Sequence, residues 1–239
     1  MAPEISVVIP VMDEEGNVAA LAREIAVAFA DRPFEMIFVD DASRDGTRAA
    51  LIGLKSAYPS LRVIAHQRNA GQSRALRSGV EAARAPIVVT LDGDGQNDPA
   101  DAPRLVERLL VGGPRLGLVG GLRLRRRDSW SKRLASRIGN DVRRRILRDD
   151  SVDTGCGLKV LPRAVFLRLP YFDHMHRFLP ALVKREGLSA EFVEVNHRPR
   201  GSGLSKYSNL RRLWVSLGDL VGMVWLLSRA RSPGGVSEP

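Results

Sequence analysis

The sequence predicts an α/β fold in which a mainly parallel, Rossmann-like sheet is flanked by helices on both faces. Four short apolar runs, rich in β-branched residues, recur in the first half of the chain: 5–10, 34–40, 61–66 and 86–92. Each run is continuous rather than alternating, as is typical of strands buried on both faces. Segments with helical spacing separate the runs, and a repeated strand–helix order favours a parallel sheet with crossover helices.

The segments between the runs predict the helices in chain order. The first helix has an apolar face of four residues at helical spacing: Val18, Leu21, Ile25 and Phe29. Asn17 directly precedes this face and is placed to cap the helix. Residues 45–58 and 72–84 predict the second and third helices. The chain shows no internal repeat and no low-complexity linker.

The chain is strongly basic. Among 239 residues, 37 are Lys or Arg and 27 are Asp or Glu, which gives a formal net charge of +10. Such an excess favours nucleic acid, an acidic membrane surface or phosphorylated ligands, although a soluble arginine-rich surface explains it equally well. Much of it lies in two blocks, 122–148 with eleven basic residues and 196–212 with five. Aromatic residues make up only 5%, and no stacking platform interleaves with these blocks, which argues against nucleic acid.

The C-terminal segment 213–227 is strongly apolar but shorter than the roughly 20 residues that cross a bilayer. Trp214 and Trp225, flanked by arginines, suit an amphipathic helix that lies in the membrane interface. Asp219 would be costly in lipid, and a helix packed on the protein's own core is the alternative.

The predicted organisation has three parts: an α/β domain over 1–208, a membrane-associated helix over 209–231 and a disordered tail over 232–239. Cys156 is the single cysteine, so no internal disulfide forms, which fits a reducing compartment. The short apolar run near the N-terminus has no basic leader, so we expect no signal peptide. The expected location is cytoplasmic, peripheral on the cytoplasmic face of the membrane.

Carboxylates follow three of the four predicted strands, at the edge where open α/β sheets bind ligands. They are Asp13, Glu14 and Glu15, then Asp40 and Asp41, and finally Asp92 and Asp94. Any one of them could simply support a turn or a helix N-terminus, a role that suits Asp45 and Asp98 well. Their coincidence at three strand ends instead favours a shared ligand site.

Asp92 and Asp94 point the same way on an extended segment, and no basic residue lies in their stretch of sequence. They would repel each other unless a cation lay between them, and Mg²⁺ or Mn²⁺ suits carboxylate oxygens. The sequence contains neither a zinc-type His/Cys cluster nor a G-x-x-x-x-G-K phosphate loop, and no G-x-G-x-x-G follows the first strand. A metal beside many arginines indicates a diphosphate-bearing substrate.

Six motifs then carry a resemblance to a known family. The segments VVIPVMDEEGNV, FVDDASRDGT, RNAGQSRALRSG and TLDGDGQNDPAD resemble the family 2 glycosyltransferases of the GT-A fold. The later GLRLRRRDSWSKRLAS and HRPRGSGLSKY resemble the polyprenyl-phosphate branch, typified by dolichol-phosphate mannose synthase. The resemblance spans roughly 5–207, so that 1–208 would be the GT-A domain.

The resemblance implies roles for individual residues. The implied donor-binding residues are Pro10, Met12, Glu14, Val39, Asp41, Asp92 and Gly93. The implied metal-binding residues are Asp92, Asp94 and Gln96. The implied catalytic residues, which include contacts to phosphates, are Asp94, Arg123, Arg200 and Lys206. The family usually has Tyr-Asn where this chain has Met12-Asp13, so the base, guanine or uracil, stays open.

The resulting hypothesis is an inverting, metal-dependent transfer of a sugar, with mannose favoured, from a nucleotide-sugar to dolichyl or undecaprenyl phosphate. A phosphate monoester has a second pKa of about 6, so it needs little help from a base and much from cations. The first alternative is a hydroxyl acceptor in cell-envelope glycan or lipid A synthesis, which would need a base. The second is a non-catalytic basic module that binds membranes or nucleic acid.

Overall fold

The computed structural model describes residues 2–123, 146–147, 153, 155–198 and 209–230, with the side chains of the last helix described from residue 217. These residues form one seven-stranded sheet. Its strands are β1 (Ile5–Val11), β2 (Phe34–Asp40), β3 (Leu61–Ala65), β4 (Ile87–Thr90), β5 (Leu116–Leu122), β6 (Lys159–Pro162) and β7 (Ser189–Glu194). Their order across the sheet is β3-β2-β1-β4-β6-β5-β7.

Seven α-helices have their bounds in the same described residues, and residues 146–147 are also helical. They are α1 (Glu15–Ala28), α2 (Thr47–Leu54), α3 (Gln72–Ala82), α4 (Ala102–Val111), α5 (Arg163–Arg168), α6 (Leu179–Arg185) and α7 (Asn209–Ser228). Short 3₁₀ turns occur at Pro99–Asp101 and Met175–Arg177. The three helices predicted in the first half of the chain are confirmed as α1, α2 and α3.

The four predicted strands lie side by side and are parallel to one another. β2 pairs with β3 and β1, and β1 pairs with β4, all parallel. β6 then lies antiparallel between β4 and β5, and β7 pairs parallel with β5. The mainly parallel sheet is therefore confirmed, and the antiparallel β6 brings a late segment of the chain next to the end of β4.

The continuous apolar strands are explained by two hydrophobic cores, one on each face of the sheet. In β1, Val7 and Ile9 pack into the core that includes residues of α1, α2 and α4. Val8 faces the other core, with residues of α3, α5 and α6. Gly79 of α3 allows close approach there, because a Cβ at this position would lie 2.4 Å from the Val8 Cγ1 atom.

The prediction that Asn17 caps the first helix is wrong. The helix begins two residues earlier, and Asn17 lies inside it with its side-chain amide donating to Glu14 Oε2 at 2.5 Å. The loop before α2 holds the start of α1 instead. The Glu14 amide donates to Thr47 Oγ1 at 2.8 Å, and the Glu15 amide donates to Asp45 Oδ2 at 3.3 Å.

The C-terminal helix α7 packs on the domain through one face. Met223 is buried there, and Leu220, Leu226 and Leu227 pack partly buried against the same core. None of the helices in the described residues is both long and apolar enough to cross a membrane. The predicted tail 232–239 lies outside the described residues.

Candidate active site

The carboxylates that follow β4 lie where this strand meets β6. Thr90, the last residue of β4, donates its hydroxyl hydrogen to the Gly157 carbonyl at 2.7 Å. The Asp92 carboxylate then lies directly against Gly157, where an added Cβ would be 2.3 Å from Asp92 Cγ. Only glycine leaves room for the carboxylate in this position.

Asp92 is partly buried and is oriented by a residue at the start of α3. The side-chain amide of Gln72, the first residue of α3, donates to Asp92 Oδ1 at 2.8 Å. Burial and the neighbouring Asp94 raise the pKa of Asp92 to about 6, although Lys159 and Arg123 act against this rise. Although no basic residue lies in its stretch of sequence, the fold supplies Asp92 with basic neighbours from β6 and from the end of β5.

Asp94 is oriented by the turn that follows it. Its Oδ1 atom accepts a hydrogen bond from the Gln96 amide at 3.1 Å. Gly95 between them has a φ of 72°, a conformation that glycine adopts without strain. The side-chain role of Gln96 as a metal ligand remains a prediction.

A second layer of charged groups lies behind Asp92. Arg123 and Asp153 form a bidentate ion pair, with Nε–Oδ2 and Nη2–Oδ1 distances of 2.7 and 2.8 Å. Lys159 is buried and its ammonium group donates to the Cys156 carbonyl. Burial lowers the pKa of Lys159, while Cys156, Asp92 and Asp153 oppose that shift. Arg123 is thus held by Asp153, and its predicted contact with phosphate or sugar remains a prediction.

Asp41, at the end of β2, organises the loop that presents Gln72. Its carboxylate accepts hydrogen bonds from the Ala70 and Gly71 amides at 2.9 and 2.8 Å. It also accepts from the Asn69 side chain at 2.8 Å, and it contacts His66 Nδ1 at 2.7 Å. The predicted contact of Asp41 with the base remains a prediction, and its direct role in this structure is to brace the loop.

The other carboxylates at the ends of β1 and β2 also support loops. Asp40 accepts from Arg48 Nε at 2.6 Å and from the Ser43 amide at 2.9 Å. Burial alone would raise the pKa of Asp40, but these hydrogen bonds outweigh burial, so that its pKa lies below the usual value. Asp13 accepts from the Arg44 amide at 2.7 Å. The ligand site shared by three strand ends remains a prediction.

The turn roles foreseen for Asp45 and Asp98 are confirmed. Asp45 Oδ1 accepts from the Thr47 amide at 3.0 Å. Asp98 Oδ1 accepts from the Ala100 amide at 3.0 Å, which caps the 3₁₀ turn before α4.

Some of the predicted donor-binding residues are buried in the sheet, whereas Met12 lines a cavity at the surface. Pro10 and Val39 pair in register in β1 and β2 and are buried, so they lie beneath the surface of the edge. Met12 lies above them and lines a cavity of about 720 Å³ with Ser43, Asn69 and neighbouring residues. The Asn69 side chain also contacts Met12 Sδ at 3.0 Å. Arg200 and Lys206 lie outside the described residues.

Comparison with known proteins identifies the family. The family model described as glycosyl transferase family 2 matches residues 6–170, more than half of the chain. The chain belongs to glycosyl transferase family 2. The family predicted from the motifs is therefore confirmed, and the protein is a glycosyltransferase.

Two relatives illustrate the similarity. The chain is 34% identical over 239 residues to dodecaprenyl-phosphate galacturonate synthase of Rhizobium johnstonii, covering 97% of this chain and 69% of the relative. It is 37% identical over 213 residues to undecaprenyl-phosphate 4-deoxy-4-formamido-L-arabinose transferase of Pseudomonas paraeruginosa, covering 87% and 62%. This family 2 glycosyltransferase chain thus spans about two thirds of the length of the curated relatives it matches.

A solved structure confirms the GT-A fold. Glucosyl-3-phosphoglycerate synthase of Mycobacterium tuberculosis, crystallised with Mn²⁺, uridine diphosphate and glucosyl-3-phosphoglycerate, superposes with a TM-score of 0.72. The superposition covers 99% of this chain and 84% of that chain at 21% sequence identity, so the similarity concerns the fold.

The acidic residues of this glycosyltransferase fit a metal ion that is shared with a substrate. Within the described residues, no group of three or more His, Cys, Asp or Glu side chains forms an all-protein metal site. Asp92 and Asp94 instead form a pair whose mutual repulsion contributes to the raised pKa of Asp92. Mg²⁺ is commonly held by one or two carboxylates together with substrate phosphates. This pair therefore fits Mg²⁺ or Mn²⁺ that completes its coordination with a diphosphate.

Sequence reasoning missed the residues that surround the acidic pair. Gln72 and Gly157 contact Asp92 directly, while Asp153 pairs with Arg123 and Lys159 acts on Asp92 through its charge. A signal was available for Lys159, since a lysine interrupts the apolar run that forms β6. Gln72 stood in a quoted motif, but nothing in the sequence indicated that it contacts Asp92.

Proposed function

We propose that this glycosyltransferase moves a sugar from a nucleotide-sugar to the phosphate of a polyprenyl phosphate. The observation that carries the proposal is the pair Asp92 and Asp94 at the carboxyl end of β4, each held by a hydrogen bond from another residue. The relatives add support, since the names of both combine a polyprenyl phosphate with a sugar.

The donor is proposed to lie along the ends of β1, β2 and β4. The cavity beside Met12 and Asn69 would take the nucleoside. Asp92 and Asp94 would hold Mg²⁺ or Mn²⁺, which when bound supplies positive charge to the leaving diphosphate. Gln72 and the Gln96 amide fix the two carboxylates in advance, so that little rearrangement is needed when the donor binds.

The acceptor phosphate is proposed to act as the nucleophile without a dedicated base. It is already anionic near neutral pH, since its second pKa is about 6. Arg200 and Lys206, which lie outside the described residues, are proposed to guide it by charge. Direct attack from the side opposite the leaving diphosphate would invert the anomeric carbon.

The names of the relatives guide the choice of the sugar to test first. Their names give galacturonate and 4-deoxy-4-formamido-L-arabinose, whereas the motif resemblance favoured mannose. We therefore place a uronic acid or a modified arabinose ahead of mannose as the sugar to test first. The base of the donor, uracil or guanine, is tested together with the sugar.

We also propose that α7 faces a lipid surface. Each exposed position described between 217 and 227 carries an apolar residue or glycine, and Val221 and Trp225 are 71% and 60% exposed. The acid of this stretch, Asp219, is turned inward, with its Oδ2 atom 3.0 Å from His174 Nδ1. A helix that faces water would instead expose its polar residues and bury its apolar ones. The inward position of Asp219 also avoids the cost of placing a carboxylate in lipid.

Charge at the end of α7 favours an anionic membrane. The Arg229 guanidinium lies 6.0 Å from the centre of the Trp225 ring, a pairing that suits the headgroup region. The proposed location is the cytoplasmic face of the membrane, where Cys156 would stay reduced.

The test is a transfer assay with radiolabelled donors, Mg²⁺ or Mn²⁺, and undecaprenyl or dolichyl phosphate. The donors are UDP-galacturonate, UDP-4-deoxy-4-formamido-L-arabinose, GDP-mannose and UDP-glucose. Label that moves into the organic phase with one donor supports the proposal and names the sugar. Metal-dependent donor binding without transfer to either lipid would contradict the lipid-phosphate acceptor and favour a hydroxyl acceptor. Absence of both binding and transfer would contradict the proposed donor as well.

A further inference from the structure

Residues 194–198 lie alongside residues 96–101, which directly follow the acidic pair in the chain. We call this contact the seam. The Asn196 amide donates to Asp101 Oδ2 at 2.7 Å. Asn97 and His197 form an isolated antiparallel bridge. The seam therefore joins two segments that are almost 100 residues apart in the chain.

Arg198 ends the described part of the seam and makes three polar contacts. Its backbone amide donates to the Gln96 carbonyl at 3.0 Å. Its Nη2 atom lies 2.7 Å from Asp98 Oδ1 in the loop, and its Nη1 atom donates to Glu24 Oε2 in α1 at 2.8 Å. The planar guanidinium thus links two carboxylates on different elements, which a lysine ammonium cannot do with the same geometry.

The backbone of Gln96 connects this contact to the acidic pair. Its amide donates to Asp94 Oδ1, and its carbonyl accepts from the Arg198 amide. Arg200, for which we predict a phosphate contact, follows Arg198 by two residues in the sequence. Arg198 therefore contacts the residue that orients Asp94, and in the sequence it directly precedes the predicted phosphate-binding segment.

We propose that Arg198 is a positioning residue for sugar transfer. It fixes the loop of Asp92 and Asp94 against residues 194–198 and against α1. The site of the leaving diphosphate is then held in place, and the chain that leads to Arg200 and Lys206 starts from a fixed point. This inference rests on the proposed function, and it gives Arg198 no contact of its own with either substrate.

The chain offers a matched control in Arg108. This arginine forms a bidentate pair with Glu191, at 2.7 and 2.9 Å, and ties α4 to β7. The Arg198 and Arg108 side chains are 39% and 41% exposed, so similar solvent screening applies to both. Within the described part of the chain, Arg108 pairs with Glu191 and not with the loop of the acidic pair. A purely structural loss should therefore look alike in Arg198→Gln and Arg108→Gln.

The experiment compares these two variants of the full chain in three measurements. Binding of Mn²⁺ with UDP or GDP is measured by calorimetry, the KM for polyprenyl phosphate and kcat are measured in the transfer assay, and Tm is measured by thermal unfolding. For Arg198→Gln we expect about tenfold weaker metal–nucleotide binding and about tenfold higher acceptor KM, which is the low end for residues that support metal ligands. For Arg108→Gln we expect a similar change in Tm with binding and KM unchanged.

A double-mutant cycle with Asp98 sharpens the test. Asp98→Asn keeps an oxygen that can cap the 3₁₀ turn but removes the charge that pairs with Arg198. It should reproduce the binding and KM changes of Arg198→Gln, and the double variant should be no worse than either single one. Arg198→Lys should recover only part of both values.

Three results would overturn the inference. They are unchanged binding and KM in Arg198→Gln, equal losses in Arg198→Gln and Arg108→Gln, or fully additive effects of the Arg198 and Asp98 substitutions. The calorimetric arm contains no lipid, so it separates this inference from the proposed function. The wild-type protein could fail to transfer sugar to polyprenyl phosphate while Arg198→Gln still weakens metal–nucleotide binding. That result would support the role of Arg198 at the donor site and overturn the proposed acceptor.

Discussion

The carboxylates that follow β1 and β2 lie at the same edge of the sheet as those that follow β4, but they have different partners. Asp40 accepts a hydrogen bond from Arg48 of α2, Asp41 accepts from the loop before α3, and both are almost fully buried. Asp92 and Asp94 lie near enough to repel each other, and this repulsion contributes to the raised pKa of Asp92. Position at the edge is therefore not enough to assign function, because Asp41 is fully engaged with its loop, whereas the mutual repulsion of Asp92 and Asp94 favours a cation between them.

The largest expected effect is that of Asp94→Asn, which removes one charge of the acidic pair. We expect transfer to fall by more than about 100-fold, beyond the range typical of residues that only support metal ligands. Tm should change little, because Asn can still accept the hydrogen bond from the Gln96 amide. The checks are the transfer assay and thermal unfolding, and wild-type transfer in the presence of metal would refute the assigned role.

Two glycine substitutions compare the regions directly. A Cβ at Gly157 would lie 2.3 Å from Asp92 Cγ, and a Cβ at Gly46 would lie 2.4 Å from Glu15 Oε1. Gly157→Ala should displace Asp92 and reduce kcat by about 10- to 100-fold. Gly46→Ala should push aside only the exposed end of Glu15 and leave kcat within about twofold. Both variants should keep most of their stability, since a single methyl in a crowded place costs about 1–3 kcal/mol. Equal kcat losses would contradict the distinction between the two regions.

Asp41→Ala should act on stability. The substitution removes the acceptor for the Ala70 and Gly71 amides and for the Asn69 side chain. Because unsatisfied buried donors cost about 1–3 kcal/mol each and are not additive, we expect the free energy of unfolding to fall by about 3 kcal/mol. For a chain of this size, that corresponds to a fall in Tm of about 9 °C. Denaturant unfolding measures the change. Unchanged stability together with abolished donor binding would show that Asp41 acts in donor binding and not in stabilising the fold.

The smallest effect concerns His176, which supports the first turn of α3 next to Gln72. Its Nδ1 atom lies 2.8 Å from Ser73 Oγ. Burial, together with nearby positive charge on Arg177 and Lys159, lowers the pKa of His176 well below its usual value. The unfolded chain takes up a proton near pH 6.5 while the folded chain stays neutral. The free energy of unfolding should therefore fall by about 1.4 kcal/mol for each pH unit below 6.5.

His176→Gln should remove this dependence on pH. The glutamine can still pair with Ser73 but does not titrate. Urea unfolding of the wild-type chain and the variant at pH 7.5, 6.0 and 5.0 compares the two slopes. The same slope in both proteins would mean that another group governs acid sensitivity in this range.

The sequence predicts the first half of the sheet well because its strands are buried on both faces and therefore read as unbroken apolar runs. The second half lacks this signal. β5 contains three glycines, β6 has only four residues and includes Lys159, and β7 is only partly buried. Their place in the sheet depends on pairing between distant segments, which local patterns do not encode.

The acidic pair was predictable because two carboxylates directly follow an apolar strand. Their supports were not, because Gln72 contacts Asp92 from 20 residues away and Gly157 meets it across the β4–β6 junction. Asn17 failed as a cap for a related reason, since the loop before α2 already satisfies the start of α1.

The antiparallel placement of β6 beside β4 has a consequence for how the protein could be divided. The turn between α4 and β5 contains Gly113, which has a φ of 78°. A cut at this turn would leave β4 with Asp92 and Asp94 on one fragment, and β6 with Gly157 and Lys159 on the other. Neither fragment alone would contain a complete active site, so recovery of sugar transfer on mixing would report that the two halves had reassembled, and the enzyme could serve as its own complementation sensor.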